Sequence, residues 1–310
     1  MDAMAVVLKE PETLALTRLE IGAPGDADVV VEIDYSGIST GTERLLWSGQ
    51  MPDFPGMGYP LVPGYESVGR VVASGGSAGR QVGEYVFVPG ANCFGAVRGL
   101  FGGAASRLVV PGSRVVPIGD DLGEAGVLLA LAATAHHAVV ARPPELIVGH
   151  GALGRLAARI VLALGNRAPV VWERNPLRAV GGTGYTVTDP AADERRDYRA
   201  ICDVSGDATI LDGLVARLAP NGEIVLAGFY AKPLSFAFPP AFMREAQIRV
   251  AAQWQKADLE AVLRLLASRA LSFDGLITHR QTAMRAQDAY VTAFDDPACL
   301  KMVLHWKSCS

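Results

Sequence analysis

The chain has 310 residues, 50% of them hydrophobic, and a net charge of −4. That length and apolar content suit two domains with sizeable cores, and basic residues scattered without a patch exclude nucleic acid as a partner. The four cysteines, Cys93, Cys202, Cys299 and Cys309, show no CxxC spacing, which argues against a disulfide framework or a cysteine-rich zinc site and fits a reducing, cytoplasmic compartment.

The opening MDAMAVVLKEPE carries charge early and lacks the apolar core of a signal peptide. The first 120 residues are rich in strand signals. Val29–Tyr35, Ser67–Ala73, Glu84–Val88, Arg107–Val110 and Arg114–Ile118 are short β-branched or apolar runs separated by Gly and Pro, the pattern of a small barrel-like β domain. Near Asp120 the character changes to alternating helices and strands. Ala125–Val140, interrupted by His136 and His137, is about 16 residues long and too short to span a bilayer comfortably, so it reads as a buried helix and no membrane span is expected. Further strands are expected at Val170–Glu173, Tyr185–Thr188, Ala200–Val204, Glu223–Ala227 and Gln247–Ala252. With the apolar run before Gly149 these make six strands, enough for a doubly wound sheet. Residues 257–268 read as helix and Leu276–Thr278 as extended, and the apolar run Met302–Trp306 returns to the first domain.

The most specific signal is LIVGHGALGRLAARIVLALG, Leu146–Gly165. An apolar strand leads into Gly149-His150-Gly151-Ala152-Leu153-Gly154. A helix follows with Leu153, Leu156, Ala157, Ile160, Val161 and Leu164 on one face, and Glu173 closes the next strand 19 residues after Gly154. In that context GxGxxG is a dinucleotide fingerprint. The glycines let backbone N–H groups approach a pyrophosphate at a helix N-terminus. A carboxylate at Glu173 accepts from ribose hydroxyls and repels a 2′-phosphate, which favours NAD, whereas the neighbouring Arg174 and Arg178 pull toward NADP. By their positions after strands or on the preceding helix, Thr134, Ser205-Gly206, Gly228 and Phe229 are further cofactor candidates.

A β-rich domain ahead of such a unit resembles the medium-chain dehydrogenase/reductase superfamily. Pro60-Leu61-Val62-Pro63-Gly64-Tyr65-Glu66-Ser67-Val68-Gly69 is similar to its P-x-x-x-G-H-E-x-x-G segment, Gly83-Glu84-Tyr85-Val86 to its GDRV turn, and Leu218-Ala219-Pro220-Asn221-Gly222 to its L-R-P-G-G. The resemblance implies an α/β fold: a GroES-like β-barrel domain over 1–122, completed by 270–310, and a doubly wound parallel-sheet Rossmann domain over 123–269. It also implies a homodimer joined at the edge of the Rossmann sheet. Zinc-dependent members carry two Cys and a His where this chain has Ser39, Tyr65 and about Ala130, and the lobe after residue 90 holds one cysteine, Cys93, where four bind a structural zinc. Neither metal is expected. The string Tyr35-Ser36-Gly37-Ile38-Ser39-Thr40-Gly41-Thr42-Glu43, with Met51-Pro52, resembles the bacteriochlorophyllide a dehydrogenase branch. That resemblance implies NAD-dependent oxidation of the C3 1-hydroxyethyl group of a (bacterio)chlorophyllide to acetyl. The alternatives are a zinc-free NADPH-dependent quinone or enone reductase and a non-catalytic NAD(H) sensor.

Without a metal, a side chain must take the alcohol proton. Tyr65 either bonds the substrate oxygen, acting as base through a lowered pKa, or fills the volume the metal left. Ser39, Thr40 and Thr42 either relay a proton or satisfy a turn. Glu66 is a catalytic candidate or a buried carboxylate paired with an Arg. His136 and His137 are adjacent on a helix, so only one faces the reaction, and His137 is the candidate. Trp47, Met51, Phe54, Met57 and Tyr59 form an apolar stretch suited to the wall of a flat macrocycle or to the core. Arg44 or Arg98 is placed to meet a propionate.

Overall fold

The computed structural model describes residues 1–53 and 55–307, so Phe54, one of the expected wall residues, lies outside the described residues. The chain forms two compact units, Met1–Ala130 with Gly275–Ser310, and Leu131–Asp274.

The first unit is built on β-structure. Its larger sheet runs, in spatial order, His279–Thr282, Met302–His305, Asp28–Ile38, Ser67–Ser74, Tyr85–Val88 and Val116–Pro117, with Arg107–Pro111 also paired to Asp28–Ile38. Asp28–Ile38 is the long central strand. Its consecutive Val29, Val30 and Val31 are all buried, as a strand covered on both faces requires. The C-terminal strand lies antiparallel on its end, Met302 opposite Ile38 and His305 opposite Tyr35. A second sheet is led by the hairpin of Asp2–Glu10 and Thr13–Glu20. The expected strand Arg114–Ile118 shrinks to Val116–Pro117, because Arg114 N–H turns back to the Pro111 carbonyl and Pro117 has no N–H to continue a ladder. Strand character after Leu276 begins only at His279.

Asp120–Val139 forms 20 helical residues apolar enough, by length and composition, to cross a membrane, yet most of its residues are buried. The first nine are 3₁₀ and kinked at Gly123. Val127, Leu128 and Leu129 are fully enclosed, so the stretch serves as a core helix.

The second unit carries a six-stranded, all-parallel sheet in the order Thr186–Thr188, Val170–Trp172, Leu146–Val148, Tyr198–Asp203, Leu218–Leu226 and Gln247–Val250. In chain order this is 3-2-1-4-5-6, the doubly wound arrangement whose ligand crevice opens at the carboxyl ends of the first and fourth strands. Those ends are Val148 and Asp203.

One backbone approach in the first unit fixes its sheet. An ideal Cβ at Gly69 would lie 1.9 Å from the Glu32 carbonyl oxygen, so the two strands meet only because position 69 has no side chain. Gly69→Ala should force them apart and destabilise the unit by about 3 kcal/mol, read as a lowered unfolding midpoint in thermal denaturation.

Candidate active site

In the second unit, Gly149 follows the strand Leu146–Val148 with φ +103°, and the helix Ala152–Ala163 begins after Gly151. A Cβ on Gly154 would sit 1.9 Å from the Gly149 carbonyl oxygen, so turn and helix touch directly. A Cβ on Gly151 would meet nothing within 4 Å. The turn is therefore open at its middle glycine and closed beneath it, and the helix N-terminus has no side-chain cap. Unsatisfied N–H groups facing open space fit a pyrophosphate. Ala152 and Leu153 open that helix. The Ser205 backbone lies 3.4 Å from where a Gly149 Cβ would be, and a Gly228 Cβ would be 2.9 Å from the Gly206 N. Ser205 and Gly228 thus line the same strand ends, with Phe229 beside them and partly exposed. Thr134 is half-buried in the helix Leu129–Val139.

Glu173 is tied to this turn. One carboxylate oxygen accepts from the His150 N–H at 3.1 Å and the other from the Asn175 N–H at 2.8 Å. Each oxygen keeps a lone pair for another donor. Arg174, next in the chain, is exposed.

His136 and His137 do not divide as expected. Their Nδ1 atoms meet the two oxygens of one carboxylate, Asp258, at 2.8 and 3.0 Å. Asp258 also receives the Gln255 N–H as part of a capping box. Burial opposes the ionised carboxyl, but that backbone bond and the two imidazoles hold it below the usual carboxylate range. Two side chains about 100° apart on a helix can reach one acceptor when each arm is as long as an imidazole. The pair therefore secures the helix Lys256–Ala267 within this unit, and His137 is engaged there.

In the first unit Ser39 directly follows the strand Asp28–Ile38, and Tyr65 sits in the turn before Ser67–Ser74. Tyr65 Oη lies 2.7 Å from Ser39 Oγ and 3.5 Å from Thr42 Oγ1, and its ring stands edge-on to Phe101 at 5.4 Å. Thr40, half-buried, lies between Ser39 and Thr42 in the chain. The lowered phenol pKa expected of a base is not found. Burial pushes the Tyr65 hydroxyl up, and the Glu66 carboxylate pushes it further, so it stays protonated. Glu66, fully buried, pairs with Lys301 Nζ at 2.6 Å rather than with an Arg, and Lys301 also donates to the Ile38 carbonyl at 3.1 Å. Burial raises the Glu66 carboxyl against that pull. Gly37 makes room for it, since a Cβ there would lie 2.3 Å from Glu66 Oε2.

Glu43 was not singled out by sequence. It accepts from the Ser39 N–H at 3.0 Å and from Tyr290 Oη at 2.6 Å. Burial raises its carboxyl to about 7. Lys301 could have been noticed, because a lone ammonium within Cys299–Leu304 needs a buried partner; Tyr290 leaves no such mark.

Trp47, Met51, Met57 and Tyr59 are half-buried against the first unit's core. Trp47 leans on Tyr290 and Phe294, each at 6.4 Å, and Tyr59 donates to the Leu46 carbonyl. The stretch is the rim of that core. Arg44 and Arg98 are both exposed.

A zinc ion does not fit the donors at Ser39 and Tyr65. They are a hydroxyl and a protonated phenol, beside a carboxylate already bonded to an ammonium, where zinc takes thiolate, imidazole or free carboxylate. Among the described residues no three His, Cys, Asp or Glu side chains are grouped to hold an ion.

Glu43 makes stability pH-dependent in a defined direction. Its folded-state carboxyl, at about 7, lies above the ordinary 4.5, so its share of stability is complete below 4.5 and is lost as pH rises through 7. Glu43→Gln, which cannot ionise, should remove that pH-dependent loss, on the order of 3 kcal/mol. The check is denaturant melts at pH 5 and pH 8, in which the variant should lose less stability between the two than the wild type.

Residues 25–120 match the alcohol dehydrogenase GroES-like domain. The chain is 56% identical over 99% of both chains to the 2-desacetyl-2-hydroxyethyl bacteriochlorophyllide A dehydrogenase of Rhodobacter capsulatus, and 54% identical over 99% of both to that of Cereibacter sphaeroides. Its fold is similar to that of an alcohol dehydrogenase from Escherichia coli solved with NADH, at a TM-score of 0.83 and 21% identity, covering 98% of this chain and 99% of that one. With likeness of that degree along its whole length, the chain belongs to the bacteriochlorophyllide A dehydrogenase family of medium-chain dehydrogenases.

Proposed function

We propose that this dehydrogenase oxidises the C3 1-hydroxyethyl group of a (bacterio)chlorophyllide to acetyl, with NAD as acceptor and without catalytic zinc. The substrate class is that of the two full-length relatives. The observation that carries the chemistry is the contact of Ser39 Oγ and Tyr65 Oη at 2.7 Å, two hydroxyl groups at positions where zinc-dependent relatives hold metal ligands.

Bound NAD supplies the hydride acceptor at nicotinamide C4. The chain's own residues handle the proton. Because Tyr65 remains protonated, it acts as a relay: its oxygen takes the alcohol proton as its own proton passes to Ser39 or Thr42. Thr42 and Thr40, both half-buried, pass it on to water. The carbinol C–H bond breaks with its electron pair leaving as hydride, the O–H bond breaks with the proton leaving through the hydroxyls, and the carbonyl forms. Glu66 and Lys301 hold Tyr65 and Ser39 in register as positioning residues. Trp47, Met51 and Tyr59 offer an apolar rim for the macrocycle.

The open glycine turn supports a nicotinamide dinucleotide, and the Glu173 carboxylate beside it supports NAD over NADP, because a 2′-phosphate would be repelled. A homodimer through the sheet edge is supported by Gln247–Val250, an outermost strand with Val250 71% exposed, and by exposed Phe238, Phe242 and Met243 nearby in the chain. The buried thiols Cys93 and Cys202 form no disulfide, in keeping with a cytoplasmic location.

Tyr65→Phe should lower kcat by about 10²-fold while the NADH Kd stays the same, measured by steady-state turnover and fluorescence titration; wild-type turnover in the variant would remove the relay. Elemental analysis of the active protein should find far less than one zinc per chain, and activity should survive chelation. Stoichiometric zinc lost together with activity would overturn the metal-free part.

A further inference from the structure

His150, the second residue of the glycine turn, is completely buried and uses all its polar atoms on one loop and one helix. Its N–H donates to Glu173, its carbonyl accepts from Arg155 Nε at 3.1 Å, its Nδ1 lies 2.6 Å from the Arg178 carbonyl, and its Nε2 lies 2.8 Å from Tyr185 Oη. Burial lowers the imidazole's pKa, so it is neutral. A carbonyl only accepts, so the proton sits on Nδ1, and Tyr185 donates to Nε2.

Arg155, one residue past Gly154, is 5% exposed. Its guanidinium donates to main-chain carbonyls: besides His150, those of Arg178 at 2.9 Å and Val180 at 2.7 Å. Burying a guanidinium against main-chain carbonyls is unfavourable unless the geometry is well fixed. The chain accommodates it at Gly181, φ +83°, where a Cβ would come within 2.6 Å of Nη1.

The loop so held begins at Glu173 and carries Arg174 and Arg178. A carboxylate and two guanidiniums on adjoining backbone favour opposite nucleotides, and which of them meets the ribose depends on how that backbone is set. We infer that Arg155, acting through His150 and the carbonyls of residues 178 and 180, is a positioning residue that sets the dinucleotide preference. It holds Glu173 at the glycine turn and keeps the loop from rearranging around a 2′-phosphate. The inference rests on the NAD reading above and names the device behind it.

The experiment is fluorescence titration of NADH and NADPH, giving both Kd values for the full-length wild type, Arg155→Met, Arg155→Lys and Tyr185→Phe, with a thermal melt of each. Arg155→Met should shift the ratio of the two Kd values by about tenfold toward NADPH, the loss of roughly one charge-assisted bond. Arg155→Lys should recover part of the shift. Tyr185→Phe, which leaves the guanidinium in place, should shift it in the same direction by a smaller factor. It decides the matter if Arg155→Met does not fold. A merely structural role would lower the melting temperature and weaken both nucleotides alike, so ratios within twofold of wild type in every folded variant would overturn the inference. A wild type that itself prefers NADPH would refute the NAD reading, while movement of the ratio would still report on Arg155.

Discussion

The first unit is organised around a buried ion pair. Lys301 and Glu66 are 1% and 0% exposed and 2.6 Å apart, in a setting where either charge alone would be strongly unfavourable. The ammonium also holds the Ile38 carbonyl, the last main-chain acceptor before Ser39, and Glu66 follows Tyr65 directly. The pair therefore fixes the two residues whose hydroxyls meet. Gly37 and its neighbours are shaped to admit it, since any side chain at 37 would enter the carboxylate's space. Removing one member would be worse than removing both, because the other would remain buried without its counter-charge.

The second unit reaches comparable fixation by another route. There the constraint is backbone against backbone: Gly154 on Gly149, Gly228 against Gly206. Charged groups enter only as clasps. Arg155 grips carbonyls, Asp258 gathers two imidazoles, and Glu173 collects two N–H groups. Each clasp joins segments that are distant in sequence or would otherwise be loose loops.

This difference explains how much could be read from sequence. The glycine turn, Glu173 and the parallel strands were legible because they depend on local backbone geometry and short-range periodicity. The hydroxyl residues at 39 and 65 were legible as replacements in a known pattern. The tertiary partners were not. Nothing in Thr42-Glu43-Arg44 announces Tyr290, 247 residues away, and nothing around His136 points to Asp258. The direction of the Tyr65 pKa was also out of reach, because it follows from enclosure and from Glu66, neither of which a string of letters displays. The hairpin Asp2–Glu10 with Thr13–Glu20 went unread because its mixed burial blurs the two-residue alternation.

The order in which the chain is synthesised adds a further constraint. Leu131–Asp274 is one uninterrupted segment and holds every strand of its own sheet, so it can close as soon as it leaves the ribosome. The other unit, split in sequence into two segments, cannot. Glu66 is translated 235 residues ahead of the lysine that neutralises it, and the long strand Asp28–Ile38 waits longer still for the neighbour that covers its end. Until then the nascent unit carries a carboxyl with no cation and a strand edge without its neighbour, so the early-made segment keeps surface open for pairing longest.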